Sequence, residues 1–223
     1  MTETIKPKAK ATKAYLACGA IGCVLFILVF LVEGFLREGY DPLRHPISSL
    51  SIGERGWIQV TNFIVTGIFL CLFSIGLRRV YNSREIKFRG PFNVILIATG
   101  LIGAGIFTTD PLFGYPIDQP MKIAQYTIHG HFHDFFSLFV FIGLPVACFI
   151  FRKKFKAEGK NGWANYSLIT AIAFILFFIL ASMGFKQVNG FVNYGGLLQR
   201  LTIITGWIWL SALSIHYWKR LAD

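Results

Sequence analysis

Six runs of about 20 mostly apolar residues, at roughly 14–36, 57–77, 92–109, 128–151, 164–184 and 198–218, divide this chain. A helix rises about 1.5 Å per residue, so about 20 apolar residues cross a hydrocarbon core about 30 Å thick. In that solvent every backbone N–H and C=O must be satisfied internally, and the α-helix does this within one segment. The expected fold is therefore all-α, a polytopic membrane protein with about six transmembrane helices. The third run is the weakest, because Asn93 and several glycines dilute it. A mean hydropathy of +0.57 and 54% hydrophobic residues agree with a membrane protein. The connections are short. The expected organisation is a basic tail over 1–13, one transmembrane domain over 14–218 and a short C-terminus over 219–223.

The net charge of +11 raises the question of nucleic acid, and its distribution answers it. Lys6, Lys8, Lys10 and Lys13 precede the first run. Arg78, Arg79, Arg84, Lys87 and Arg89 separate the second from the third. Arg152, Lys153, Lys154, Lys156 and Lys160 follow the fourth, and Lys219 and Arg220 end the sixth. With six spans these four groups share one side and hold 16 of the 22 Lys and Arg. Arg37, Arg44, Arg55, Lys122, Lys186 and Arg200 remain for the other. The positive-inside rule then places both termini in the cytoplasm of a multi-pass protein of the cell's cytoplasmic (inner) membrane. Membrane lipids are the expected partners, through their anionic head groups, and nucleic acid is not. No protein partner can be read from the sequence.

The first run is too long for a signal peptide and no small-residue cleavage site follows it. Cys18, Cys23, Cys71 and Cys148 have no metal-ligand spacing and read as apolar packing residues. Gly19 with Gly22, and Gly100 with Gly103 and Gly105, read as sites of close helix packing. Trp57, Trp163 and Trp218 stand near run ends, as interface anchors do.

The polar information lies in two outer connections and the start of the fourth run. The first connection contains Asp41-Pro42-Leu43-Arg44-His45-Pro46-Ile47-Ser48-Ser49, and the second Asp110-Pro111-Leu112 with Tyr115-Pro116-Ile117-Asp118. Each sets Asp-Pro-Leu ahead of a ring and Pro-Ile, a hint of a duplicated helix pair. Proline forces the residue before it out of the helical region. Asp41 and Asp110 should therefore mark helix ends or turns, where a short carboxylate accepts backbone hydrogen bonds. Next comes His129-Gly130-His131-Phe132-His133-Asp134. On a helix His129 and His133 share a face, while His131 points roughly 200° away from His129.

Three chemistries fit these residues. His129, His133 and Asp110 supply two imidazoles and a carboxylate, the donor set of a hydrolytic zinc site with one open position. Ser48 is a candidate nucleophile with His133 or His45 as base and Asp110 beside them. Alternatively the histidines and aspartates bond each other and loop carbonyls with no metal. Asp41, Arg44, His45 and Arg200 complete a polar pocket at the outer surface, with Arg200 reading as a partner of Asp110, of Glu33 or of a lipid phosphate. Glu33 also has Arg37 four residues on. Acidic residues away from run ends are nearly absent, which disfavours transport. No Cys-x-x-Cys, His-Glu-x-x-His, phosphate loop or Gly-x-Ser-x-Gly elbow is present.

Pro46-Ile47-Ser48-Ser49-Leu50 with Gly53 and Gly56-Trp57, Asp110-Pro111, the histidines at 129–133, and Gly196 through Gln199-Arg200 occur in that order. In this the chain resembles the domain-of-unknown-function 998 family of prokaryotic membrane proteins, over about 14–218. The resemblance implies several transmembrane helices and no settled activity. The Pro-Ile-Ser element is similar, more distantly, to that of the Frag1/DRAM/Sfk1 group, which is linked to lipid remodelling. Ser48 or Ser49 with Asp110, His129 and His133 also resemble, as chemical analogy, the ingredients of alkaline ceramidase-like membrane hydrolases, although the histidine pair stands elsewhere in that family's order. The expected function is a lipid-interacting membrane protein. The alternatives are a metal-dependent hydrolase of a lipid amide or ester, a small transporter and a membrane assembly partner.

Overall fold

The computed structural model describes residues 5–81, 88–117, 119, 121 and 125–221. Arg84, Lys87, Asp118 and Lys122 lie outside the described residues. Six helices follow one another: α1 (Ile5–Leu36), α2 (Gly56–Tyr81), α3 (Gly90–Ile106), α4 (Ile128–Ala157), α5 (Asn161–Phe185) and α6 (Gly195–Arg220). A short 3-10 helix, Ile47–Ser51, interrupts the connection from α1 to α2. Five helices are long and apolar enough to cross a membrane. The exception is α3, at 17 residues, where the sequence is also weakest. The basic segment ahead of the first apolar run is helical from Ile5, because alanine and lysine at 9–14 are good helix formers and extend α1.

Each helix packs against the next in sequence, and α6 closes back on α1. Short connections make sequence neighbours antiparallel neighbours in space, so the result is a closed up-and-down ring. Its interior is aromatic: Phe26, Phe30, Phe73, Phe151, Trp207 and Trp209 are all fully buried. The outer surface is apolar as well. Within the spanning windows only 28–50% of residues are buried, and Phe35, Ile169 and Ile208 stand outward. An apolar surface of that extent suits hydrocarbon and not water.

Glycines set how closely the helices approach. A Cβ on Gly103 of α3 would sit 2.1 Å from Cγ of Phe136 on α4. A Cβ on Gly196 would fall 2.5 Å from the carbonyl oxygen of His45 and 2.7 Å from that of Pro42. The first turn of α6 therefore lies directly against the α1–α2 connection, and the Leu197 N–H bonds the Leu43 carbonyl at 2.9 Å. That contact, with the start of α4 beside it, gathers the polar connections at one end of the ring.

Candidate functional site

Two arginines, Arg37 half-buried and Arg200 buried, organise that end. Arg37, just past the end of α1, pairs with Glu33 at 2.9 Å and donates to the Ile52, Leu50 and Arg55 carbonyls and to the Tyr115 hydroxyl. Glu33 holds Arg55 as well, at 2.5 Å. Arg200 on α6 donates to the His45 carbonyl at 3.1 Å, to the Gly196 carbonyl at 3.0 Å and to the Tyr40 hydroxyl at 2.5 Å. Tyr40 in turn donates to the Pro46 carbonyl at 2.9 Å. Burial pushes the Tyr40 phenol up to about 12, with Arg200 opposing. The expected pairing of Arg200 with Asp110 or Glu33 is not made. Carbonyl oxygens and the face of Tyr40 surround its guanidinium instead.

His45 is committed at both ring nitrogens. Nδ1 accepts from the Asp41 N–H at 2.8 Å, which leaves Nε2 to donate to the Phe113 carbonyl at 3.2 Å. Burial holds its pKa below the ordinary imidazole value, against the pull of that carbonyl and of Asp41. His45 is therefore a neutral structural strut, and the base role read for it does not fit this bonding. Asp41 accepts from the Leu43 N–H at 2.9 Å, the turn expected of an aspartate before proline. Arg44 lies over the Phe113 ring.

Asp110 performs a related task at α4. Its two oxygens accept from the Thr127 N–H at 3.0 Å and the Thr127 hydroxyl at 2.7 Å, and Thr127 Oγ1 accepts from the Gly130 N–H at 3.0 Å. A carboxylate is well placed there, against the positive end of a helix. Only a glycine fits at 130, since a Cβ would lie 2.0 Å from Asp110 Oδ2. The histidine run thus begins on a glycine-requiring helix start.

The three histidines separate. His129 is exposed, edge-on to Phe107, and His131 is exposed and stacked on Tyr126. His133 is buried, and its Nδ1 lies 3.0 Å from the Ala104 carbonyl and 2.8 Å from that of Phe107. Two acceptors fix a hydrogen on Nδ1, so in the neutral ring Nε2 carries the lone pair. These carbonyls stand in the last turn of α3 and on the residue just past it, where acceptors have no partners within the helix. Among the described residues, no three His, Cys, Asp or Glu side chains are grouped so as to hold a metal. His129, His133 and Asp110 do not form the expected zinc set, because His133 turns inward and the Asp110 oxygens face Thr127.

His133 does meet Ser48, at a cavity. Two adjoining hollows share Ser48, His133, Ser137, Phe141 and Gln199. The larger, about 210 Å³, is the more polar of the two, with Asp110, Asp134, Ser49 and Thr109 in its wall beside Leu112 and Phe185. The smaller, about 50 Å³, is an apolar slot between Phe26, Phe63, Leu101, Ile203 and Trp207. Gln199 Oε1 accepts from the Ile47 N–H at 2.8 Å, which ties the 3-10 helix to α6 and leaves its amide nitrogen as a donor. Ser49 Oγ is buried without a hydrogen-bond partner. Asp41, Arg44, His45 and Arg200 are not in the wall of either hollow; they hold the frame around them. Sequence reasoning did not reach Ser137 or Trp207. Ser137 was detectable, one helical turn beyond His133 on the same face.

The sequence matches the family described as protein of unknown function DUF998 over residues 20–216. No curated protein and no solved structure matches the chain. With most of its length inside the match, the chain belongs to the DUF998 family.

Proposed function

We propose that this multi-pass membrane protein binds a lipid-like amphiphile, head group in the polar hollow and chain in the apolar slot. The observation that carries the reading is the shared wall: one histidine, two serines, a glutamine and a phenylalanine border both hollows. A polar compartment adjoining an apolar one matches the two halves of an amphiphile. The slot is narrow, so it takes a length of a single chain and the rest leaves between helices. The charge bias of the connections supports an extracytoplasmic position for this end.

Trp207 gives the test, because it borders the slot. An amphiphile with a brominated chain should quench part of the tryptophan emission of the purified protein. That part should vanish in Trp207→Phe and in Ser137→Phe, which fills the wall common to both hollows. Quenching unchanged by both substitutions would reject the reading. Orientation is checked separately, by labelling a cysteine placed at Asp41 with a membrane-impermeant reagent from outside intact cells. Absence of labelling there, with labelling after lysis, would reverse the assignment.

A second reading has one specific observation behind it. His133 keeps its hydrogen on Nδ1 and offers Nε2 as a base, with Ser48 in the same wall, a pairing suited to metal-free attack on an ester or amide. A fluorophosphonate probe should then label the protein and fail on Ser48→Ala. No labelling of the wild type would remove the reading.

A further inference from the structure

Carboxylates and unfilled acceptors share the wall of the polar hollow. Ser49 is 1% exposed, lines the hollow and has no partner for Oγ. His133 is 3% exposed, and with Nδ1 donating to two carbonyls Nε2 of the neutral ring is an acceptor. Two carboxylates, Asp110 and Asp134, stand in the same wall, and no lysine or arginine does among the described residues. The Asp110 oxygens are occupied by Thr127, yet its charge still faces this space; Asp134 is exposed at the hollow. The buried guanidinium of Arg200 is turned away, onto carbonyls and Tyr40.

We infer that the amphiphile's head carries a primary ammonium group. An ammonium presents three N–H donors and no acceptor, and the hollow presents Ser49 Oγ, His133 Nε2 and the Asp134 carboxylate. The charged partner makes the strongest of these bonds. A phosphate head would meet two carboxylates and, among the described residues, no lysine or arginine. A single hydroxyl would satisfy one acceptor and leave the rest open. The Gln199 amide nitrogen, where the two hollows meet, is the donor for a hydroxyl or carbonyl next to the head. The inference rests on the amphiphile reading above and adds the chemistry of the head.

Three probes of equal chain length separate the possibilities: dodecylamine, dodecanol and dodecyl phosphate. Their dissociation constants are measured by thermophoresis on the full chain in a nonionic detergent. Dodecylamine should bind at least about tenfold more tightly than either of the others, the scale of one charge-assisted bond. Asp134→Asn should remove about tenfold for the amine and leave dodecanol unchanged. Asp134 is exposed, so the variant is expected to melt with the wild type; Ser49→Ala is the second variant and should weaken the amine less. Equal or tighter binding of dodecanol or dodecyl phosphate overturns the ammonium assignment and leaves the amphiphile reading standing. So does an affinity order that both substitutions leave unchanged. Failure of all three probes to bind overturns the amphiphile reading and this inference with it.

Discussion

The two ends of the helical ring handle charge in opposite ways. At the end that bears the cavity three charged groups are buried: Glu33, Asp110 and Arg200 are each 5% exposed or less, while Glu38, Asp41, Glu54 and Arg55 stand outward. Their partners are mostly carbonyls, hydroxyls and backbone N–H groups. At the opposite end Glu158 gathers Lys154 at 3.6 Å, Lys160 at 2.8 Å and Arg220 at 3.5 Å, and half of the Arg220 side chain faces solvent. Most of the basic residues that mark topology stand near this second end, and it takes little fixed geometry to do so. The first end uses its charges to hold irregular backbone in place. Loops at membrane depth need such bonding, because neither water nor a regular helix satisfies them. The difference teaches that an excess of basic charge marks orientation, whereas buried charge marks the constructed site.

The largest test of that contrast is Arg200→Leu. It removes a guanidinium from two carbonyls and a tyrosine hydroxyl, all away from water. Leaving such acceptors unsatisfied costs on the order of 3 kcal/mol, read as a large fall in melting temperature in detergent. Retention of wild-type stability would show that the buried arginine does not hold the α1–α2 connection. Next comes Gly196→Val. The atoms it strikes are backbone carbonyls of His45 and Pro42, which cannot turn aside as a side chain can. About 2 kcal/mol of destabilisation is expected from forced overpacking. Amphiphile binding should weaken with it, since Gln199 one turn on lines both hollows.

The fold was legible because its cause is periodic and repeated. Six apolar runs gave six helices, and the dilution of the third by Asn93 and glycines foretold the one helix shorter than a span. Asp41 and Asp110 were legible too, since proline dictates the backbone just before it and a carboxylate has few other uses there. The histidines were only half legible. Helical spacing put His129 and His133 on one face, but which of them meets the ring interior depends on where α3 ends. His133 turns toward the open carbonyls of Ala104 and Phe107, and nothing in the sequence near 133 announces them. Arg200 was misread for a similar reason: its partners are backbone oxygens, and any residue supplies those.

Acid tests the cavity end without a mutation. Burial keeps His45 neutral in the fold, with a pKa below its unfolded value of about 6.5. Between those two values the unfolded chain binds the extra proton, so stability is full above about pH 6.5 and falls as pH drops through the folded value. His45→Gln should abolish that slope in a melting series. Glu158 behaves differently. Burial raises its pKa, but hydrogen bonding and charge from Lys160, with Arg220 and Lys154, outweigh burial and bring it below the ordinary value. Its contribution is present above about pH 4.3 and is lost only below that, as pH falls through the depressed value. The smallest effect belongs to Arg220→Ala, at about 0.5 kcal/mol, because a half-exposed ion pair gains little over hydration. Added salt should erase even that difference while leaving the Arg200→Leu deficit in place. If salt instead narrowed the Arg200 deficit as well, the charges at the two ends would be screened alike and the distinction between them would fail.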